Sequence, residues 1–88
     1  MFKIESKPES TGTVRLMLAG RMHANSLGEV RRAIDRARRQ RARRVALDLA
    51  EITLADRASV DFLVQQRREE IELENCPPYL QPWIEGER

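Results

Sequence analysis

The stretch from Val45 to Val64 constrains the fold most, because an apolar strand in it runs through a short loop into a helix opened by an acid. Val45, Leu47 and Leu49 alternate with the small or acidic Ala46, Asp48 and Ala50, which is the period of a strand. The small residues on the second face suggest that a helix crowds it, and place the strand centrally. Asp56 then stands as a helix N-cap, its carboxylate accepting from the exposed N–H groups of the first turn. Val60, Leu63 and Val64 give the helix its buried side, and Phe62 widens that face.

The flanks extend this unit in both directions. Phe2 and Ile4 alternate with Lys3 and Glu5, Pro8, Ser10 and Gly12 punctuate, and Val14, Leu16 and Leu18 share a face. These are two strands joined by a turn. Gly20 is expected to end the second strand, and Ser26-Leu27-Gly28-Glu29 matches a capping box that opens a helix. Leu27, Val30, Ile34 and Ala37 form its packing stripe, with Arg31, Asp35, Arg38 and Arg39 facing water. Ile71 to Asn75 alternates apolar with acidic residues, as an edge strand does, and Cys76-Pro77-Pro78 stops it. Leu80, Trp83 and Ile84 indicate a short last helix starting near Pro82, where proline is tolerated. The order is β-β-α-β-α-β-α. It implies an α/β fold with a mixed, mostly parallel four-stranded sheet in one domain spanning residues 1–88.

With 88 residues the chain has room for one core. Its single Cys76 excludes an internal disulfide, no segment has the length to span a bilayer, and no secretory leader is evident, so the sequence reads as cytoplasmic with no membrane role. The net charge of +2 conceals segregation: residues 31–44 hold eight Arg against one Asp, a local charge of +7, whereas residues 69–88 hold six Glu against one Arg, a local charge of −5. There is no glycine-rich phosphate loop and no nucleophile paired with a base, so no enzyme is expected and no cofactor is implied. The lone His23 has no second His or Cys to share a metal with.

The run Ala46-Leu47-Asp48-Leu49-Ala50-Glu51-Ile52-Thr53-Leu54-Ala55-Asp56-Arg57-Ala58-Ser59-Val60, together with Leu18-Ala19-Gly20-Arg21 at the end of the second strand and the helix opened at Ser26, resembles the STAS family, the sulfate transporter and anti-sigma-factor antagonist domains. The resemblance covers nearly the whole chain. Asn75-Cys76-Pro77 also sits where members place a residue pair before Pro at a strand end. In the regulatory members the strand-to-helix junction carries Asp followed by a Ser whose phosphorylation switches a partner off. This sequence departs from that pattern: Arg57 replaces the phosphorylatable Ser, and Ser59 stands where Gly is usual. It also has one short last helix where many members add a further strand and helix. The resemblance implies a degenerate member, a signalling and transcription-regulating module of bacterial partner switching.

The candidate site follows from that. Loops at the carboxyl ends of parallel strands gather on one side, so His23, Asn25 and Ser26 are expected beside Thr53, Asp56, Arg57 and Ser59 as a protein-docking surface. The resemblance implies an anti-sigma-type kinase or a related regulatory assembly as partner. An alternative is anion or nucleic-acid contact through Arg31, Arg38, Arg39, Arg41, Arg43 and Arg44. Against nucleic acid, no aromatic residue interleaves these arginines to stack bases. A homodimer is a further option, with the acidic tail on the basic helix and Trp83 as anchor.

Overall fold

A computed structural model of the chain describes residues 1–9 and 12–86. Strand β1 (Phe2–Pro8) leads into β2 (Thr13–Met22), a 3₁₀ turn (Ala24–Ser26) and helix α1 (Leu27–Arg39). Then follow β3 (Arg44–Ala55), α2 (Arg57–Arg68), β4 (Glu72–Glu74) and α3 (Gln81–Glu85). The element order is the expected one. The four strands lie in sequence order across one sheet, β1 antiparallel to β2 and β2, β3 and β4 mutually parallel. Ser10, expected in the first turn, and the last two residues of the acidic tail, Glu87 and Arg88, lie outside the described residues.

One core holds the elements together. Val14, Leu16 and Leu18 of β2 and Val45, Leu47 and Leu49 of β3 meet Val30, Ile34 and Ala37 of α1 and Val60, Leu63 and Val64 of α2. Helix α1 touches β1 to β3, and α2 touches β3, β4 and α3. Helix α3 closes one end with Leu80 and Ile84, both buried. The alternation expected of the strands and the stripe expected of α1 are both realised, with Ala33 added to the latter.

Several local expectations are corrected. Gly20 does not end β2, which continues to Met22. It lies opposite a bulge in β3: Gly20 pairs with Ile52 but Arg21 with Leu54, leaving Thr53 without a register partner. Its φ of +100° and the Met1 carbonyl oxygen, only 2.0 Å from where a Cβ would stand, require glycine. The capping box at Ser26 does not form either. Ser26 is already helical, with φ −84° and ψ −17°, because a 3₁₀ turn precedes α1. Its hydroxyl accepts from the His23 N–H at 3.3 Å instead. Strand β3 outruns its apolar alternation by absorbing a second bulge between Asp48 and Glu51. There the Asp48 carboxylate accepts the Ala50 N–H at 3.0 Å.

No helix crowds the second face of β3, since α1 and α2 share the other one. That second face carries charge. Arg15 on β2 bonds Glu9 at 3.2 Å, pairs with Glu74 of β4 and lies 3.6 Å from Asp48 of β3. This network crosses three strands. The Glu9 hydrogen bond, chiefly, raises the Arg15 pKa above its ordinary value, Glu74 and Asp48 adding to it while burial opposes. Ala46, whose register partners are Arg15 and Glu72, is fully buried beneath such side chains.

Candidate functional site

The carboxyl ends of β2 and β3 lie side by side, Met22 pairing with Ala55, so the residues following each strand meet. Asp56 joins them. With φ −79° and ψ 176° it sits in the extended geometry of an N-cap. One carboxylate oxygen accepts the Ser59 N–H of α2 at 2.8 Å, and the other accepts the Ala24 N–H of the 3₁₀ turn at 3.1 Å. The Asp56 N–H in turn donates to the Met22 carbonyl at 3.2 Å. A single side chain thus caps one helix and fixes the entry to the other.

The Asp56 carboxyl is held below its ordinary value. Ser59 acts first, with the Ala24 N–H and His23 adding less and burial opposing. The Ser59 hydroxyl lacks hydrogen-bond geometry and is buried without a partner. The amide therefore carries the bond that favours the charged form.

The structure brings most of the expected docking residues together. His23 is half-exposed with Nδ1 4.0 Å from the Asp56 carboxylate. Asn25 is exposed in the 3₁₀ turn, while Ser26 is buried beneath it. Arg57 opens α2, exposed, and donates to Asp61 one turn on at 3.2 Å. Thr53 is exposed but belongs to β3 and not to a loop. Ser59 is fully enclosed within α2, so its hydroxyl faces no surface.

An apolar groove adjoins this junction. Leu54, Ala55, Arg57, Val60, Tyr79 and Trp83 surround a space of about 430 Å³ floored by Leu80. Trp83 is 60% exposed, Tyr79 48% and Leu54 49%, a concentration of large apolar side chains in a molecule whose other apolar residues are mostly inside. The Tyr79 hydroxyl donates to the Ile52 carbonyl at 2.6 Å, which pins α3 against the end of β3. Burial raises the Tyr79 pKa above its ordinary value. Sequence reasoning singled out Trp83 but not Leu54 or Tyr79. Leu54 carried a signal, an apolar residue just before the Asp56 cap, but its exposure depends on the Thr53 bulge.

The arginines are spread over α1 and the approach to β3. Arg31 lies 5.0 Å over the Phe62 ring, and with Arg38 it borders a cleft shared with Gln65 and Glu69 of α2. Arg39 is exposed at the end of α1. Arg41 turns the chain with φ +65°, Arg43 donates its N–H to the Gly12 carbonyl at 2.8 Å, and Arg44 pairs with Glu72 at 3.3 Å. The last three precede or open β3, whereas Asp56 follows it, so the length of that strand separates them from the junction. Cys76 is half-buried; burial, chiefly, pushes its thiol up. Among the described residues no group of three or more His, Cys, Asp or Glu is placed to hold a metal, and no helix is long and apolar enough to cross a membrane.

The four-stranded, mostly parallel sheet with its helices on one face has the STAS fold. The solved structure of the anti-sigma factor antagonist SpoIIAA in its unphosphorylated form is similar, with a TM-score of 0.73 over 97% of this chain and 84% of that one, at 17% sequence identity. At that identity the likeness is one of fold. No protein-family model matches the sequence, and no curated protein matches it.

Proposed function

We propose that this chain is a non-catalytic protein-interaction module that docks a regulatory protein through the Asp56 junction and the adjoining Leu54–Tyr79–Trp83 groove. The observation that carries the reading is the double use of the Asp56 carboxylate, which caps α2 at 2.8 Å and holds the turn after β2 at 3.1 Å beside an exposed tryptophan. A surface pre-organised in this way loses little entropy on binding. Exposed aromatic and arginine side chains are the residue types that anchor protein contacts. By the likeness of fold to an anti-sigma factor antagonist, the partner is an anti-sigma-type kinase or a related assembly, met in the cytoplasm of a bacterium.

The module works without a phosphoserine switch at the junction. Arg57 occupies the first turn of α2 where a phosphorylatable hydroxyl would be needed. A phosphoryl group on Ser59 would have to leave the interior first, since that side chain is 0% exposed. Binding is therefore constitutive, or governed elsewhere.

The test is capture from native lysate with the intact chain beside Arg57→Glu, Trp83→Ala and an Arg41→Glu/Arg43→Glu/Arg44→Glu variant. The reading requires a discrete protein that the first two lose and the third retains. Nuclease-sensitive material lost only by the third variant would move the function to the arginines. Phosphate transfer to Ser59 by a captured kinase would overturn the unswitched reading.

A further inference from the structure

The outer edge of the sheet has a pattern that selects one partner. β1 is an edge strand whose one sheet neighbour is β2. The Arg21 N–H donates to the Met1 carbonyl at 3.2 Å and the Glu9 N–H to the Thr13 carbonyl at 2.8 Å. With the register Lys3↔Ala19, Glu5↔Met17 and Lys7↔Arg15, the odd-numbered residues therefore spend their backbone groups on β2. Bonding alternates along an antiparallel strand, so Phe2, Ile4 and Ser6 direct theirs outward. Pro8, next in that outward set, has no N–H to offer.

We propose that β1 pairs antiparallel with β1 of a second copy, Ile4 opposite Ile4, to make one continuous sheet across a two-fold axis. In this register Ile4 exchanges hydrogen bonds with Ile4, and Phe2 with Ser6, using the groups that point outward. Lys3 of each copy then lies directly opposite Glu5 of the other, in the close pairs where opposite charges attract and like charges repel. Neighbouring registers fail. A shift one way sets Lys3 against Lys3, and the other way sets Glu5 against Glu5 and Lys3 against Lys7. A further shift that restores opposite charges, Glu5 against Lys7, brings Pro8 opposite Ile4 and breaks the ladder. Odd shifts place the Phe2 and Ile4 side of one strand on the charged side of the other.

The helix above the edge carries the same complementarity. Glu29 and Arg36 of α1 flank Ala33 along a cleft of about 290 Å³ over Ile4 and Ser6. Since α1 is the crossover between parallel β2 and β3, it runs in the direction of β1. A two-fold through Ile4 thus sets two α1 helices antiparallel, bringing the Glu29 end of each towards the Arg36 end of the other. An edge pairing of this length buries less than a standard stable interface, so the dimer is concentration-dependent. It leaves the Asp56 junction uncovered, at the strand ends, and does not rest on the reading of that site.

The test is sedimentation equilibrium of the untagged chain from micromolar concentration to ~0.5 mM, with circular dichroism confirming that each variant folds. Lys3 and Glu5 are exposed, so exchanging them leaves the core intact. The intact chain is expected to approach twice its 10.2 kDa mass. Lys3→Glu alone and Glu5→Lys alone are each expected to weaken association at least about tenfold, and the double exchange to restore it. A second variant, Ser6→Pro, removes an outward N–H without altering charge and is expected to weaken association as well. A monomer throughout the range, or a dimer indifferent to the single exchanges, would overturn the proposal.

Discussion

Asp56 shows how much one side chain can decide. It satisfies an N-terminal amide of α2 and an amide of the turn before α1, so its loss frees both junctions. Replacing an N-cap of this kind costs about 1 kcal/mol, and the second bond brings the expected loss for Asp56→Ala to about 1–2 kcal/mol, readable by urea unfolding. Because the folded carboxyl titrates below its ordinary value of 3.8, its contribution is fully present above the unfolded pKa and is lost as pH falls through the lower folded value. Asp56→Ala should therefore show a flatter stability profile below about pH 4 than the unaltered chain. Gly20 is a second such position: Gly20→Ala is expected to destabilise by about 1–3 kcal/mol, since φ +100° and the Met1 carbonyl both exclude a Cβ. Asp56 is legible in the sequence as an acid before a helical period, whereas Gly20 reads there as a strand stop. A glycine signals unusual φ but not whether the strand resumes beyond it.

Among the elements, the strands and long helices followed from apolar period, because burying one face is what orders them. What period could not show was the long-range partner. Ser26 matches a capping box in the local sequence, and α1 does start directly after it, yet a 3₁₀ turn whose Ala24 N–H bonds Asp56, 32 residues beyond Ala24, leaves Ser26 already helical and its hydroxyl on the His23 N–H. Arg15 was silent as a lone charge in a strand, and acquires meaning when the sheet sets it near Asp48 and Glu74. Helix α3 is five residues long and too short to persist alone, so it is held by Leu80, Ile84 and the Tyr79 hydroxyl on Ile52. Leu80→Ala is expected to cost about 2–4 kcal/mol in chemical unfolding. Tyr79→Phe, which keeps the ring but removes the hydroxyl's bond to the Ile52 carbonyl, is expected to cost about 1 kcal/mol.

Across the whole molecule, charge and apolar surface are sorted by position. The arginines around residue 41 lie at the start of β3, while the exposed Leu54, Tyr79 and Trp83 lie at its end. The sequence displayed the imbalance in charge, but distance along the chain did not reveal that these surfaces occupy opposite ends of one strand. The most direct measurement of the docking claim is photo-crosslinking in cells, with p-benzoylphenylalanine placed at position 83 in one strain and at position 43 in another. A discrete protein adduct is expected from position 83 and none of the same mass from position 43. Adducts formed from position 43 alone, to protein or nucleic acid, would contradict the claim that this chain works through the Asp56 junction.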